Sequence, residues 1–571
     1  KVRPKAQLNA SYPWWKFVQD GPKIPAPTTT FPKTLRIRNE SSTLIPANEF
    51  VWFYLSFPPG LISTSEIPTF TVGGTTLTAQ IDGVRYWRSD TDVPTSFQGG
   101  RFCLRMPMSV SGSGVVDVTV GKTAGVVATA EFQSSAASKA AISNAAWNLR
   151  LNIAGIAHRA NLTLAALNDT RCRTFASGKN AHTFRCITKF FDTSNNIEHA
   201  EMFVTWYATV YLDGVVEVMP VVHNSWYGHR NNFAISAVEV YQNTTIRASW
   251  FPSSFTHYGH GIFYAGDEKV RPLRSNGAIG SLYADYSQVL TMLWESGVFP
   301  PYSNTLNPAA PNPVDPKHTP QSAPFLPNNP NAADGGLINC NYGNSFGQLN
   351  DWSARALCTG SEAWFNVNRV VAADWGVYGE IVTDPDTWDV RGNHDGWFLG
   401  IRNTTKYAPI AVNNWTSFGG WDQSQVGGRH PNAPTWDEQH RSDPYFFIAY
   451  ATARPWWIDA LCHTALWSVG LIPAGYPSTT HSGYRHWTIG SRTYYAGAIR
   501  NAERHCAWTM RQATNSEFLH GDGEIRQQLF HDIVGDPYAA LKAWCVDGEP
   551  RLFSGGSVEN NLVAHRPAGF W

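Results

Sequence analysis

Two polar stretches in the last third of the chain concentrate groups that move protons. Trp436-Asp437-Glu438-Gln439-His440-Arg441-Ser442-Asp443-Pro444-Tyr445 packs acids, an imidazole and a guanidinium ahead of an apolar run ending near Pro473. His481-Ser482-Gly483-Tyr484-Arg485-His486-Trp487 follows and is read as opening a helix from Arg492 to Asn515. Two further clusters, His223-Asn224-Ser225-Trp226-Tyr227-Gly228-His229-Arg230 and His257-Tyr258-Gly259-His260, fall near predicted strand ends. Tyr, His and Arg converging without a carboxylate pair suit β-elimination of a uronate polysaccharide. There a Tyr or His base removes the C5 proton, while Arg, Asn or His neutralises the carboxylate and so stabilises the anion. The expected catalytic set is Tyr484 or His440 as base and Arg485 or Arg504 on the uronate, with His257 and His223 as further members. A hydrogen-bonded structural role is the competing reading for each histidine, and the density of the clusters is what favours chemistry.

The predicted helix carries a second signal. Arg500, Arg504, Trp508 and Arg511 fall on one stripe, and Arg with Trp suits an acidic sugar through charge and stacking. Trp436, His486, Tyr258 and Arg230 complete the expected substrate contacts. The competing reading pairs these arginines with Glu503, Asp437 or Glu438 to hold helices together. A hydrolase needs two carboxylates about 5 to 10 Å apart, and Asp437 or Glu438 with Glu503 or Glu524 are the candidates. Only His394-Asp395 and His531-Asp532 hint at a metal. No HExxH, DxDxDG, P-loop or GxSxG string occurs, so neither a metal nor a cofactor is expected.

These groups must be positioned by a large scaffold. At 571 residues the chain should hold two to four domains. Lys plus Arg number 44 and Asp plus Glu 44, so no global field favours nucleic acid or an anionic membrane. The longest uncharged apolar stretch, near Ala465 to Pro473, is too short to span a bilayer. Tryptophan is abundant at 24 residues. Its rings either fill cores and seams or stack on sugars.

Residues 1–30 are Pro-rich and aperiodic. Short alternating runs follow at Thr34 to Asn39, Phe50 to Leu55, Phe70 to Val72, Thr76 to Ile81, Gly100 to Pro107 and Gly114 to Val120, which predict a small barrel or sandwich. Ala136 to Ala154 reads as a linker helix. Strands are predicted at Phe184 to Phe191, Ile235 to Tyr241 and Thr244 to Phe251. Strands are also predicted at His199 to Asp213 and Val215 to Asn224, and the strongest hairpin signal joins Met202–Leu212 to Val215–Val222 through Asp213-Gly214. Ser281 to Glu295 reads as helical and Pro300 to Pro330 as a connection. Helices are expected at Ser353 onward, Ser361 to Ala373, Tyr445 to Thr452, Pro455 to Leu471, Glu524 to Val534 and Tyr538 to Trp544.

The Arg36-Ile37-Arg38-Asn39 strand, the aromatic strand ending at Pro58-Pro59-Gly60, Ala79-Gln80-Ile81-Asp82 with Tyr86-Trp87-Arg88, and Arg101 to Pro107 carry a resemblance. In order and pattern they are similar to the RIFT-type barrel that opens exo-rhamnogalacturonan lyase-like proteins, including bacteriophage-borne relatives. The resemblance implies a multidomain β plus α chain with a β-barrel, a β-sandwich and an α/α toroid. The number of predicted helices suits a partial toroid. The expected divisions are an extended arm at 1–30, the barrel at 31–135, a linker helix at 136–155 and the sandwich at 156–270. A helix and Pro/Asn-rich connection at 271–330 and the toroid-like domain at 331–571 complete them. The expected activity is polysaccharide lyase. The alternatives are a non-catalytic glycan-binding, receptor-binding or structural protein of a virion tail, and a glycoside hydrolase. The expected partners are a polysaccharide or cell-surface glycan and other virion proteins, with no nucleic acid and no membrane span, in an extracellular or virion-associated setting.

Eight cysteines show no CxxC pair. They are either buried thiols or up to four disulfides in an oxidising compartment, and sequons such as Asn39, Asn161 and Asn168 are compatible with secretion. Cys172 with Cys186 and Cys340 with Cys358 are the expected pairs, the first because a hairpin around Gly178 would bring its Cα atoms together.

Overall fold

The computed structural model describes residues 27–89, 92–224, 233–250, 256–257, 261–267, 270–278, 280–300, 349–375, 443–470, 486–489, 492–495, 503–524, 526–527, 530–531, 534, 545–546 and 549–550. Seven strands come first: β1 (Lys33–Asn39), β2 (Phe50–Ser56), β3 (Glu66–Val72), β4 (Thr75–Thr76), β5 (Ala79–Arg88), β6 (Pro94–Arg105) and β7 (Val115–Ala124). Helix α1 (Ser135–Asn144) leads to β8 (Trp147–Ile153), β9 (Ile156–Asn161) and the short helix α2 (Leu164–Asn168). Then come β10 (Arg173–Ser177), β11 (Ala181–Asp192), β12 (Glu198–Tyr211), β13 (Val216–Asn224), β14 (Phe233–Gln242) and β15 (Thr245–Trp250). The short strands β16 (Thr256–His257), β17 (Gly261–Tyr264), β18 (Leu273–Arg274) and β19 (Leu282–Asp285) precede α3 (Leu290–Glu295). Helices α4 (Asp351–Thr359), α5 (Glu362–Trp375), α6 (Phe446–Thr452), α7 (Pro455–Gly470) and α8 (Glu503–Phe518) follow, with the strand pair β20 (His486–Ile489) and β21 (Arg492–Tyr495) ahead of α8.

The fold is mixed and mostly β, with a nearly closed, barrel-like arrangement of sheet and several helices. A five-stranded sheet runs β19-β1-β7-β3-β4, a three-stranded sheet β2-β6-β5, and an eleven-stranded sheet has the path β15-β14-β8-β9-β11-β12-β13-β17. In β1 the apolar Leu35 and Ile37 point inward while Arg36 and Arg38 point out, the period-two pattern of a half-buried strand. Strand β2 is buried on both faces, so it reads as a continuous apolar run. One face sends Phe53 against Phe70 and Phe102 in the core of the two small sheets. Its other face sends Trp52 to the Tyr211 hydroxyl at 3.2 Å and Tyr54 against Tyr450 and Phe518. That one strand therefore glues the small sheets to both the large sheet and the helices.

The Asp213-Gly214 hairpin has the expected register, with Val210 opposite Val216 and Phe203 opposite His223. Gly214 sits at φ +84°, a conformation that costs glycine nothing. Trp147, Trp206, Trp364 and Trp457 are wholly buried, the core-filling use of tryptophan. Three expectations are corrected. The Arg492 to Asn515 helix is instead strand β21 followed by helix α8, because Arg492-Thr493-Tyr494-Tyr495 is β-branched and aromatic and pairs with His486-Trp487-Thr488-Ile489. The linker helix stops at Asn144, and Trp147–Ile153 alternates as a strand. Ser281 to Glu295 is helical only from Leu290, because Leu282–Asp285 pairs with β1. Among the described residues, no helix is long and apolar enough to cross a membrane.

Candidate functional site

The register of the large sheet assigns side chains to its two faces. Directly opposed residues of antiparallel strands share a face, so Arg185, Tyr207 and Met219 line up, as do Thr183, Thr209 and Glu217, and Phe203 and His223. Tyr264 joins them opposite Val221. The alternate positions, Phe184, Cys186, Val204, Trp206, Val218 and Val222, form an apolar core. One face of the sheet is thus a dry core, and the other carries Arg, Tyr, Thr, Glu and His.

Helix α7 packs on that polar face. Asp459, buried near its start, accepts the Tyr207 hydroxyl at 2.6 Å and forms an ion pair with Arg185 at 2.8 Å, and Arg526 reaches its other oxygen. Trp456 lies 6.3 Å from the Tyr207 ring and Trp457 4.7 Å from Tyr264. Burial, and then the Asp459 charge, hold the Tyr207 phenol well above its ordinary range. Tyr207 therefore stays protonated at neutral pH, where it can donate a proton but is no base.

A second cluster sits at the same seam. Glu217 accepts Arg274 Nε at 2.8 Å, the Tyr211 hydroxyl at 3.0 Å and an Arg454 nitrogen, while Arg274 also pairs with Glu49. These contacts join the small sheets, the large sheet and the α6–α7 corner, with two acids balancing two guanidiniums. Farther along, His520 donates from Nδ1 to the Ser516 carbonyl at 2.7 Å, and its Nε2 lies 3.8 Å from Cys462 Sγ. Burial depresses His520 to about 4, so its imidazole is neutral.

The expected residues fall in several places. His223 lies in β13, buried, with its ring stacked on Phe203 at 4.6 Å and 6° between planes. His257 lies in β16 opposite Phe233, and His486 in β20 opposite Tyr495. Arg504, Trp508, Arg511 and Glu503 lie on α8. Of these, Arg511 acts electrostatically on Asp443, which caps α6 by accepting the N–H groups of Tyr445 and Phe446. That contact is of the helix-holding kind. Glu524 pairs with Arg101 at 2.9 Å; burial pushes its carboxyl up, Arg101 reverses that, and the net result is below the usual range, unlike a general acid. Tyr484, His440, Arg485, Arg500, Trp436, Tyr258, Arg230, Asp437 and Glu438 lie outside the described residues, as do His394, Asp395 and Cys340 of the other expected pairs. His531 meets Glu517 at 3.2 Å, and among the described residues no group of three or more His, Cys, Asp or Glu could hold a metal ion.

Asp459, Arg185, Tyr207 and Arg526 were not singled out from the sequence. Tyr207 and Asp459 are 252 residues apart, and Asp459 stands alone in an apolar helix. That isolation was the available signal, since a lone acid in such a run needs a buried partner. No protein-family model matches the chain. No curated protein matches it either.

Proposed function

We propose that the chain is a carbohydrate-active protein, a polysaccharide lyase that cleaves an acidic glycan by β-elimination at the seam between the polar face of the large sheet and the helices. The observation that carries this reading is the Tyr207–Asp459–Arg185–Arg526 constellation at that seam. Arginine supplies charge for a uronate, and a phenol held protonated supplies a donor for the leaving glycosidic oxygen. Arg526, the most exposed of the four at 18% of its side chain, marks the side from which the sugar reaches the seam. The base comes from Tyr484 or His440, with Arg485 on the uronate. The finer architecture in this proposal is that of the resembled family, a RIFT-type barrel, a β-sandwich and a partial α/α toroid, in an extracellular or virion-associated protein.

A second reading is a virion glycan-binding protein without catalysis, and it is favoured by the commitment of the Tyr207 hydroxyl to Asp459 at 2.6 Å. The test is ultraviolet absorbance of the unsaturated uronate, followed across a panel of acidic polysaccharides. The lyase reading expects absorbance growth that Tyr484→Phe abolishes and Tyr207→Phe lowers, with folding retained. Unchanged growth in Tyr484→Phe removes that base from the mechanism. Saturable binding with no product from any glycan supports the second reading, and new reducing ends without absorbance point to hydrolysis.

A further inference from the structure

The hairpin β10–β11 brings two cysteines face to face. Arg173 is paired with Arg185 and Thr174 with Phe184, so the next position outward sets Cys172 opposite Cys186. Opposed residues of an antiparallel ladder have Cα atoms about 4.5 to 5.5 Å apart, inside the roughly 4.4 to 6.8 Å window of a disulfide. Both are free thiols, so the bridge expected from the sequence is not formed in this structure. Their surroundings differ. Cys186 is completely buried on the apolar face of the sheet, next to Trp206 of β12 in the ladder, whereas Cys172 is only partly covered at the mouth of the hairpin.

We propose that Cys172 and Cys186 form a thiol–disulfide exchange site, with Cys172 as the attacking sulfur, Cys186 as the resolving sulfur and an external disulfide as the oxidant. An external molecule reaches only Cys172. Its thiolate attacks one sulfur of the oxidant, forms a mixed disulfide and expels the other sulfur as a thiolate that takes up a proton. Cys186 then gives up its proton and attacks the Cys172 sulfur, which releases the second half of the oxidant as a thiol. Two protein thiols and one disulfide become one protein disulfide and two thiols, and the two electrons pass to the oxidant. The electrostatics agree with this order. The Cys186 thiol beside it, with help from Lys139 and Arg185, holds Cys172 below the ordinary thiol range, while the Cys172 neighbour and burial push Cys186 well above it.

Closure would fasten the hairpin that joins the large sheet to the small ones. Beyond the bridge, Ser177 donates its N–H to Asp82, and Asn180 donates its side-chain amide to the carbonyls of Thr78 and Cys103 at 2.9 and 2.8 Å. Bridged protein should therefore show slower amide exchange over 176–182 than reduced protein.

The experiment treats the full, folded chain with oxidised glutathione, quenches with an alkylating agent and maps the peptides. The expected result is a 172–186 bridged peptide in the wild type. Cys186→Ala should accumulate glutathione on Cys172, and Cys172→Ala should leave Cys186 a thiol. Cys172→Ser repeats the last measurement with a substitution at the less buried site, and far-ultraviolet circular dichroism checks each fold. A wild-type chain that yields no 172–186 peptide overturns the proposal without recourse to any variant. Glutathione on Cys186 in a folded Cys172 variant, or an unmodified Cys172 thiol in Cys186→Ala, overturns the assigned order.

Discussion

Replacing Glu217 by glutamine should unfasten the three-way junction. Glu217 is 1% exposed and receives Arg274, Arg454 and the Tyr211 hydroxyl, while Glu49 balances the second guanidinium. Glutamine keeps the volume and one carbonyl acceptor, so no cavity opens and the loss is electrostatic. Uncovering one buried cation in this way costs about 3–5 kcal/mol. Arg454→Met strands the opposite charge and should cost a similar amount. The double variant removes one charge of each sign, and its cost should fall short of the sum of the singles by at least ~2 kcal/mol. Native-state hydrogen exchange of amides in β2, β13 and α7 reads the loss on each side of the junction. A loss below ~1 kcal/mol for Glu217→Gln, or additive singles, would refute the account. The acid limb gives a second reading. Burial pushes the Glu217 carboxyl up, but Arg454 and Arg274 more than reverse this and leave it below its ordinary value. A depressed folded value gives stability that is full above the unfolded carboxylate pKa of ~4.3 and is lost as pH falls through the folded one. The acid destabilisation should be weaker in Glu217→Gln.

Other perturbations probe separate contacts. A Cβ at Gly521 would stand 2.6 Å from the Gly83 Cα, a backbone atom that cannot swing aside. Gly521→Ala should therefore cost about 1–3 kcal/mol and weaken the Asp522 N–H bond to the Val84 carbonyl, now 2.9 Å; an unchanged urea midpoint would contradict this. Asp82 is pushed up to about 6 by burial, against the pull of Arg101. Its contribution is full below the unfolded value and is lost as pH rises through about 6, so Asp82→Asn should flatten the stability profile between about pH 4 and 6, by at most ~3 kcal/mol. Urea melts across that range would show an unchanged slope if the reasoning fails. Tyr207→Phe removes a hydrogen bond to a charged group and should cost about 1.5–3 kcal/mol, read by the same melts.

What could be read in advance was local. Val210 to Val216 around Asp213-Gly214 carries its own turn chemistry, and the Cys172–Cys186 hairpin needs only the intervening residues to bring its ends together. Trp147–Ile153 also alternates, but the Ala-rich run before it masked the change of period at Ala145. The strand β21 was hidden by fusing an aromatic run with the helical pattern beyond it, although Ile489-Gly490-Ser491-Arg492 is a hairpin signal. Leu282–Asp285 is strand only because β1 lies beside it, which no window of neighbouring residues contains. The seam was illegible for the same reason. Arg185, Tyr207, Asp459 and Arg526 come from β11, β12, α7 and the residues beyond α8, and only the folded register unites them.

The pairing of β1 with β19 has a consequence for synthesis. Arg38 and its partner Asp285 are 247 residues apart, and the whole large sheet is made between them. At about 5–20 residues per second, β1 waits roughly 10–50 s for the strand that covers its edge. Through that interval an unpaired strand edge is a template for a neighbouring nascent chain. The outward side chains of β1 are Arg36 and Arg38, which end in ion pairs with Asp117 and Asp285. Before Asp285 is made, those same cations act as gatekeepers that repel an identical edge on the next polysome neighbour.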